Sequence, residues 1–102
     1  MSRQQESKIT GKCLKYLDKL KESGVFIYYE HRSGQGGFSY KKGIPDLFIV
    51  INSVHIECEF KTESGKLSTM QEKYKLMFER LKIPYICPHS FEEFEEEIKK
   101  WI

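Results

Sequence analysis

The sequence predicts an α/β fold: one domain of element order αβββαβα, with a mixed central sheet flanked by helices. Three observations carry that expectation. Apolar residues recur at helical spacing in three separate stretches, each with capping residues at an end. Two adjacent apolar runs, DLFIVI and VHIECEFK, meet at Asn-Ser as the arms of a hairpin do. No linker divides the 102 residues, a length ordinary for one domain spanning 1–102.

Each element has its own justification. Residues 3–22 are a helix because Ile9, Cys13, Leu17 and Leu20 share a stripe; Ser2 and Gln5 fit a capping box and Gly24 fits the stop. VFIYYEH, 25–31, is a strand by its β-branched and aromatic content. The Gly-rich RSGQGGFSYKKGIP reads as a loop. DLFIVI, 46–51, is apolar throughout, as a strand buried on both faces is. Asn52-Ser53 supplies the turn, since Asn tolerates the left-handed region. VHIECEFK, 54–61, is the returning strand. Gly65 opens a short connection, and Ser68 with Gln71 forms a capping box. The helix it starts carries Leu67, Met70, Tyr74, Met77, Phe78 and Leu81 and ends before Pro84. YIC, 85–87, is a short fourth strand. Ser90 and Glu93 make a further capping box, and Phe91, Phe94, Ile98 and Trp101 line the last helix.

Composition narrows the function classes. The chain is 39% hydrophobic and 14% aromatic, which argues for a packed core and against disorder. No apolar run approaches the ~20 residues that span a membrane, so no membrane partner is expected. MSRQQESKITGK lacks the apolar centre of a signal peptide, and an intracellular location follows, in the cytoplasm of a bacterial host for a chain of phage or bacterial origin. Cys13, Cys58 and Cys87 form no CxxC pair and are odd in number, so zinc sites and a disulfide framework are not expected. They read as small apolar packing residues. The net charge of +2 hides an asymmetry. Residues 1–50 hold nine basic and five acidic residues, and 51–102 hold eight and ten. The basic half suits a polyanion; ordinary solvated surface is the alternative.

The hairpin assembles the informative constellation. With Asn52-Ser53 as the turn, Ile51 faces Val54, Ile49 faces Ile56 and Leu47 faces Cys58. Continued one step, Asp46 faces Glu59, and opposed residues have Cβ atoms ~4.5–5.5 Å apart. Lys61 follows on the same face. Glu57 faces Phe48 and is expected to be peripheral or solvated. Two adjacent carboxylates repel unless protonated or bridged by a cation. Oxygen ligands without a neighbouring Cys suit Mg²⁺ or Mn²⁺. The alternative is a strand-end salt bridge from Lys61 to Glu59 or Asp46. Two further polar residues face inward. Glu6 lies on the stripe of Cys13 and Leu17, or serves only to complement the helix dipole. Gln71 lies near the inner face of the second helix, besides its capping role.

GIPDL at 43–47 followed by ECEFKTESGKLSTMQ at 57–71 resembles the PD-(D/E)xK, restriction-endonuclease-like nuclease signature. More narrowly it is similar to the virus-type replication–repair nuclease (VRR-NUC) domain. The matching positions are Glu6, Gly43, Pro45-Asp46, Glu59-Phe60-Lys61, Gly65, Ser68 and Gln71. The resemblance implies a Mg²⁺- or Mn²⁺-dependent endonuclease that leaves 5′-phosphate and 3′-hydroxyl ends on DNA. Asp46, Glu59 and the Phe60 backbone carbonyl are then the metal ligands, with Glu6 at a second metal or its water shell. Lys61 positions the attacking water, and Gln71 orients the lysine or the scissile phosphate. Similarity to Holliday-junction resolvases implies a homodimer acting on branched DNA, because two cuts need two sites and the chain carries one motif set.

Other residues complete the expectation. Arg32, Gln35, Lys41 and Lys42 on the Gly-rich stretch, with Ser68, are the expected DNA contacts; a surface loop without ligand is the alternative. The glycines precede no helix, so no nucleotide cofactor is expected. His31, His55 and His89 have no ligand spacing, and His55 sits at the far end of the hairpin from Asp46. Lys8, Lys12, Lys15 and Lys19 form a solvated or phosphate-contacting helix face. Two other functions stay open: a catalytically silent nucleic-acid-binding module, and a sequence-specific restriction or nicking nuclease.

Overall fold

The computed structural model of the chain describes residues 3–32, 43–62 and 65–102, with side chains from Glu6 onward. The capping box expected at Ser2 and Gln5 lies outside the described residues. Seven elements follow in the expected order: α1 (Arg3–Glu22), β1 (Ile27–His31), β2 (Leu47–Ile51), β3 (Val54–Cys58), α2 (Thr69–Arg80), β4 (Tyr85–Ile86) and α3 (Phe91–Lys99). The sheet order is β1-β2-β3-β4. The first two pairings are antiparallel and β3 with β4 is parallel, so the sheet is mixed.

The hairpin register is the expected one: Ile51 opposes Val54 and Leu47 opposes Cys58. Asn52 and Ser53 both have positive φ, 48° and 73°, as a two-residue turn that follows the strand twist requires. One sheet face carries Leu47, Ile49, Ile51, Ile56 and Cys58 into a core with Cys13 and Leu17 of α1 and Phe94 and Ile98 of α3. Tyr16 of α1 meets Phe91 and Phe94 edge-on at 5.6 and 6.4 Å, locking the two helices together. On the other face Phe78 of α2 stacks on Tyr85 of β4, so helices flank both faces. Cys13 and Cys58 are buried and free, and burial pushes the Cys13 thiol up to about 12, so they serve as packing groups.

Element ends depart from expectation where hydrogen bonds have other partners. β1 begins at Ile27, not Val25, because the Val25 N–H donates to Leu20 O and the Gly24 N–H to Lys21 O. Those two bonds, with Gly24 at φ 103°, close α1 in a Schellman motif. The capping box of α2 is complete between Ser68 and Gln71. That of α3 is half made. Ser90 Oγ accepts from the Glu93 N–H, but the Glu93 carboxylate accepts from the His89 N–H, one residue before the cap. β3 ends at Cys58, not Lys61, although the chain stays extended. Beyond Cys58 it leaves β2 and follows β4: the Glu59 N–H donates to Ile86 O and the Lys61 N–H to Pro88 O. Pro45, with no N–H, stands just before β2 and cannot prolong that ladder.

Two backbone positions give stability predictions. Lys82 ends α2 at φ 61°, with Ile83 N–H to Phe78 O, a Schellman position that favours glycine. Lys82→Gly is expected to raise stability by about 0.5–1 kcal/mol in urea unfolding. Gly43 has φ 87°, and a Cβ there would lie 2.6 Å from Met70 Cβ and 2.9 Å from the Met70 carbonyl carbon. Gly43→Ala combines an unfavourable φ with a clash against α2 and is expected to cost about 2 kcal/mol or more in the same assay.

Candidate active site

The parting of β2 and β3 after the Leu47–Cys58 pair builds the site. Asp46 lies at the mouth on one side, with Glu59, Phe60 and Lys61 on the other. The carboxylate of Asp46 bridges the gap: its Oδ2 accepts the Phe60 N–H at 3.0 Å. A side chain thus makes the contact that the next ladder bond would otherwise supply. Phe60 itself packs into the core. No described residue donates to its carbonyl.

Glu59 is only 3% exposed. Its Oε2 accepts from Gln71 Nε2 at 3.1 Å. Gln71 has both of the roles open to it, because its Oε1 also accepts from the Ser68 N–H at 2.8 Å. Gly43 makes this possible: without a Cβ it lets the segment before Asp46 lie against Met70 and Gln71 at the start of α2. The second Glu59 oxygen, Oε1, is buried without a hydrogen-bond partner among the described residues. Burial first, and then the neighbouring Asp46, pushes the Glu59 carboxyl up to about 9. A carboxylate pair with one member buried, the other half-buried and an oxygen without a partner among the described residues matches hard-cation chemistry, because a divalent ion supplies what both the repulsion and the open lone pairs lack.

The other expected site residues fall at different distances. Lys61 is half-buried and close enough for its charge to lower the pKa of Glu59, yet it makes no ion pair with a described residue. The salt-bridge alternative is therefore not the arrangement adopted. Glu6 reaches Glu59 only as the smallest of the charges acting on it. Among the described residues no three His, Cys, Asp or Glu side chains converge as a metal cluster. Glu6 is thus a charged neighbour of the Asp46–Glu59 pair. Ser68 Oγ accepts from the Gln71 N–H at 3.2 Å, which leaves its hydroxyl proton available.

Tyr85 is a member of this neighbourhood that the sequence did not reveal. Its hydroxyl is buried without a hydrogen-bond partner among the described residues, and burial and then Glu59 raise its pKa. Only the parallel pairing of β4, which sets Tyr85 beside Glu57, brings it there. No local pattern marks it.

Two expectations require correction. Glu57 is not peripheral: it is 1% exposed and receives Arg32 Nη1 at 2.7 Å and Nη2 at 3.1 Å. His55 Nε2 lies 2.5 Å from its Oε2. Arg32, expected on DNA phosphates, has its guanidinium turned inward onto Glu57 and Pro45 O, with the side chain 13% exposed. The physical reason is that Glu57 is buried between Phe48 of β2 and Tyr85 of β4 and needs a cation to be buried at all. Gln35, Lys41 and Lys42 lie outside the described residues. His31 is exposed, and His89 Nε2 lies 3.3 Å from Gly65 O.

No family model and no curated protein matches the sequence. A solved structure titled "VRR_NUC domain" superimposes with a TM-score of 0.73 at 17% identity, covering 96% of this chain and 98% of that one. The chain therefore has the fold of a VRR_NUC domain, in agreement with the fold the motif resemblance implies.

The Glu59 environment sets a pH dependence. Its pKa is higher folded than unfolded, so its contribution to stability is full below about 4.5 and is lost as pH rises through about 9. In metal-free buffer Glu59→Gln is expected to melt above wild type at pH 8, with the gap closing as pH falls toward 4.5. Thermal melts across that range check it.

Proposed function

We propose that the chain is a Mg²⁺- or Mn²⁺-dependent endodeoxyribonuclease that hydrolyses phosphodiester bonds. The single observation that carries the reading is the buried Glu59 carboxyl beside Asp46, with one oxygen held by Gln71 and the other without a partner among the described residues. Asp46, Glu59 and the Phe60 carbonyl would hold the ion. When bound, the ion supplies Lewis-acid stabilisation of charge on the phosphate and a more acidic water.

The protein's own groups prepare that chemistry. Gln71 fixes the plane of the Glu59 carboxylate and is itself fixed by the helix cap, so its orientation carries little rotational freedom. The Phe60 N–H holds Oδ2 of Asp46 and so fixes that carboxylate beside Glu59. Lys61 has its ammonium near the pair without being neutralised by it, as a group that orients a water or meets developing negative charge must. Burial of Glu59 keeps bulk water from screening these interactions.

The finer reading is selectivity for branched DNA such as Holliday junctions or flaps, by a homodimer inside the cell. Each chain carries one set of motif residues, and paired cuts across a junction need two. A sequence-specific nicking enzyme would use the same chemistry with one site.

Cleavage of four-way junctions, flaps and plain duplex with Mg²⁺ or Mn²⁺ tests the proposal. Glu59→Gln and Asp46→Asn are expected to be folded and inactive. Lys61→Ala is expected to lower kcat by about 10²–10⁴-fold. Removing the ion with EDTA is expected to abolish cleavage. Equal behaviour of wild type and Glu59→Gln on every substrate would sink the catalytic reading. Sedimentation as a monomer would sink only the paired-cut version.

A further inference from the structure

Three hydrogen bonds converge on Pro45 and Asp46, and two come from one residue. The Arg32 N–H donates to Asp46 O at 2.8 Å. Arg32 Nη1 donates to Pro45 O at 2.9 Å. The third is the Phe60 N–H to Asp46 Oδ2. The same guanidinium grips both oxygens of Glu57, which stands two residues before Glu59 and on the same side of the strand. Arg32 thus reaches from the carbonyl preceding Asp46 to the strand that carries Glu59. The Phe48 ring lies 5.7 Å from its guanidinium, and His55 Nε2 shares Glu57 Oε2 with Arg32 Nη2.

We propose that Arg32, anchored on Glu57, is a positioning residue that sets Asp46 against Glu59 and thereby governs divalent-ion affinity. This rests on the metal-dependent reading above. Two physical arguments support it. The main-chain bond from Arg32 N–H to Asp46 O, which any residue at 32 would make, continues the β1–β2 ladder by one step, but Pro45 has no N–H, and among the described residues the only donor to Pro45 O is the Arg32 side chain. A buried ion pair is also a poor stabiliser compared with an apolar pair of similar volume. What an apolar pair cannot reproduce is the fork that binds Glu57 and Pro45 O together. Lysine cannot reproduce it either, because one ammonium does not span both carboxylate oxygens and the carbonyl in a plane.

The test compares wild type, Arg32→Lys and the double variant Arg32→Met/Glu57→Leu. The double variant leaves no unpaired buried charge and keeps the test open if Arg32→Lys does not fold. Calorimetric titration with Mn²⁺ is expected to give an affinity about tenfold or more weaker in either folded variant. On a four-way junction kcat is expected to fall while KM and the salt dependence of DNA binding stay as in wild type. A folded variant with wild-type Mn²⁺ affinity overturns the proposal. So does intact Mn²⁺ affinity with a salt slope reduced by about 0.9, which would make Arg32 a phosphate contact. A wild-type chain that binds no Mn²⁺ overturns the metal-dependent reading and this proposal with it, an outcome distinct from the other two.

Discussion

Taking a carboxylate out of water beside a second carboxylate is the constraint on which the arrangement of this molecule turns. Glu57 and Glu59 both leave solvent on the same side of one extended segment, and they are treated differently. Glu57 receives a bidentate arginine and a histidine. Glu59 receives one amide hydrogen bond and a repelling neighbour in Asp46. The first is a satisfied buried charge. The second is a carboxyl whose ionised form burial and Asp46 both disfavour, with one oxygen lacking a hydrogen-bond partner among the described residues, and groups of that kind concentrate at functional sites.

The fold holds the unsatisfied pair together by dividing the work between two sheet pairings. The antiparallel hairpin fixes register up to Leu47 and Cys58. The parallel run along β4 then carries Glu59 and Lys61 away from β2. A site opens where the two pairings diverge, with one carboxylate residue on each side of the gap. The core beneath is rigid because α1, α3 and the apolar sheet face interlock there. The start of α2 closes the other side, and its approach depends on the missing side chain at Gly43.

Arg32 connects these two treatments of charge. It neutralises Glu57 and, with the same group, fastens the chain entering Asp46. Arginine suits both tasks at once because its donors lie in one rigid plane. A residue read from sequence as a surface contact on a Gly-rich stretch is thereby part of the framework behind the candidate site.

Much of the fold and half of the site were legible in the residues alone. Helical stripes, the capping box at Ser68 and the Asn52-Ser53 turn are local codes, so element order, hairpin register and the pairing of Asp46 with the Glu59 segment could be read directly. Gln71 was legible because its cap and its inward face share one helical position. The rest depends on contacts between distant segments. That Glu57 is buried follows from what covers its side of the sheet, and period-two alternation names a face without saying whether that face is covered. Arg32 and Tyr85 reach the carboxylates across 25 and 26 residues of chain from Glu57 and Glu59 respectively, distances over which sequence spacing carries no geometry. The sequence by itself determined which carboxylates could meet. Only the tertiary structure decided which would be neutralised and which left open, because that depends on desolvation and on which cation the fold brings within reach.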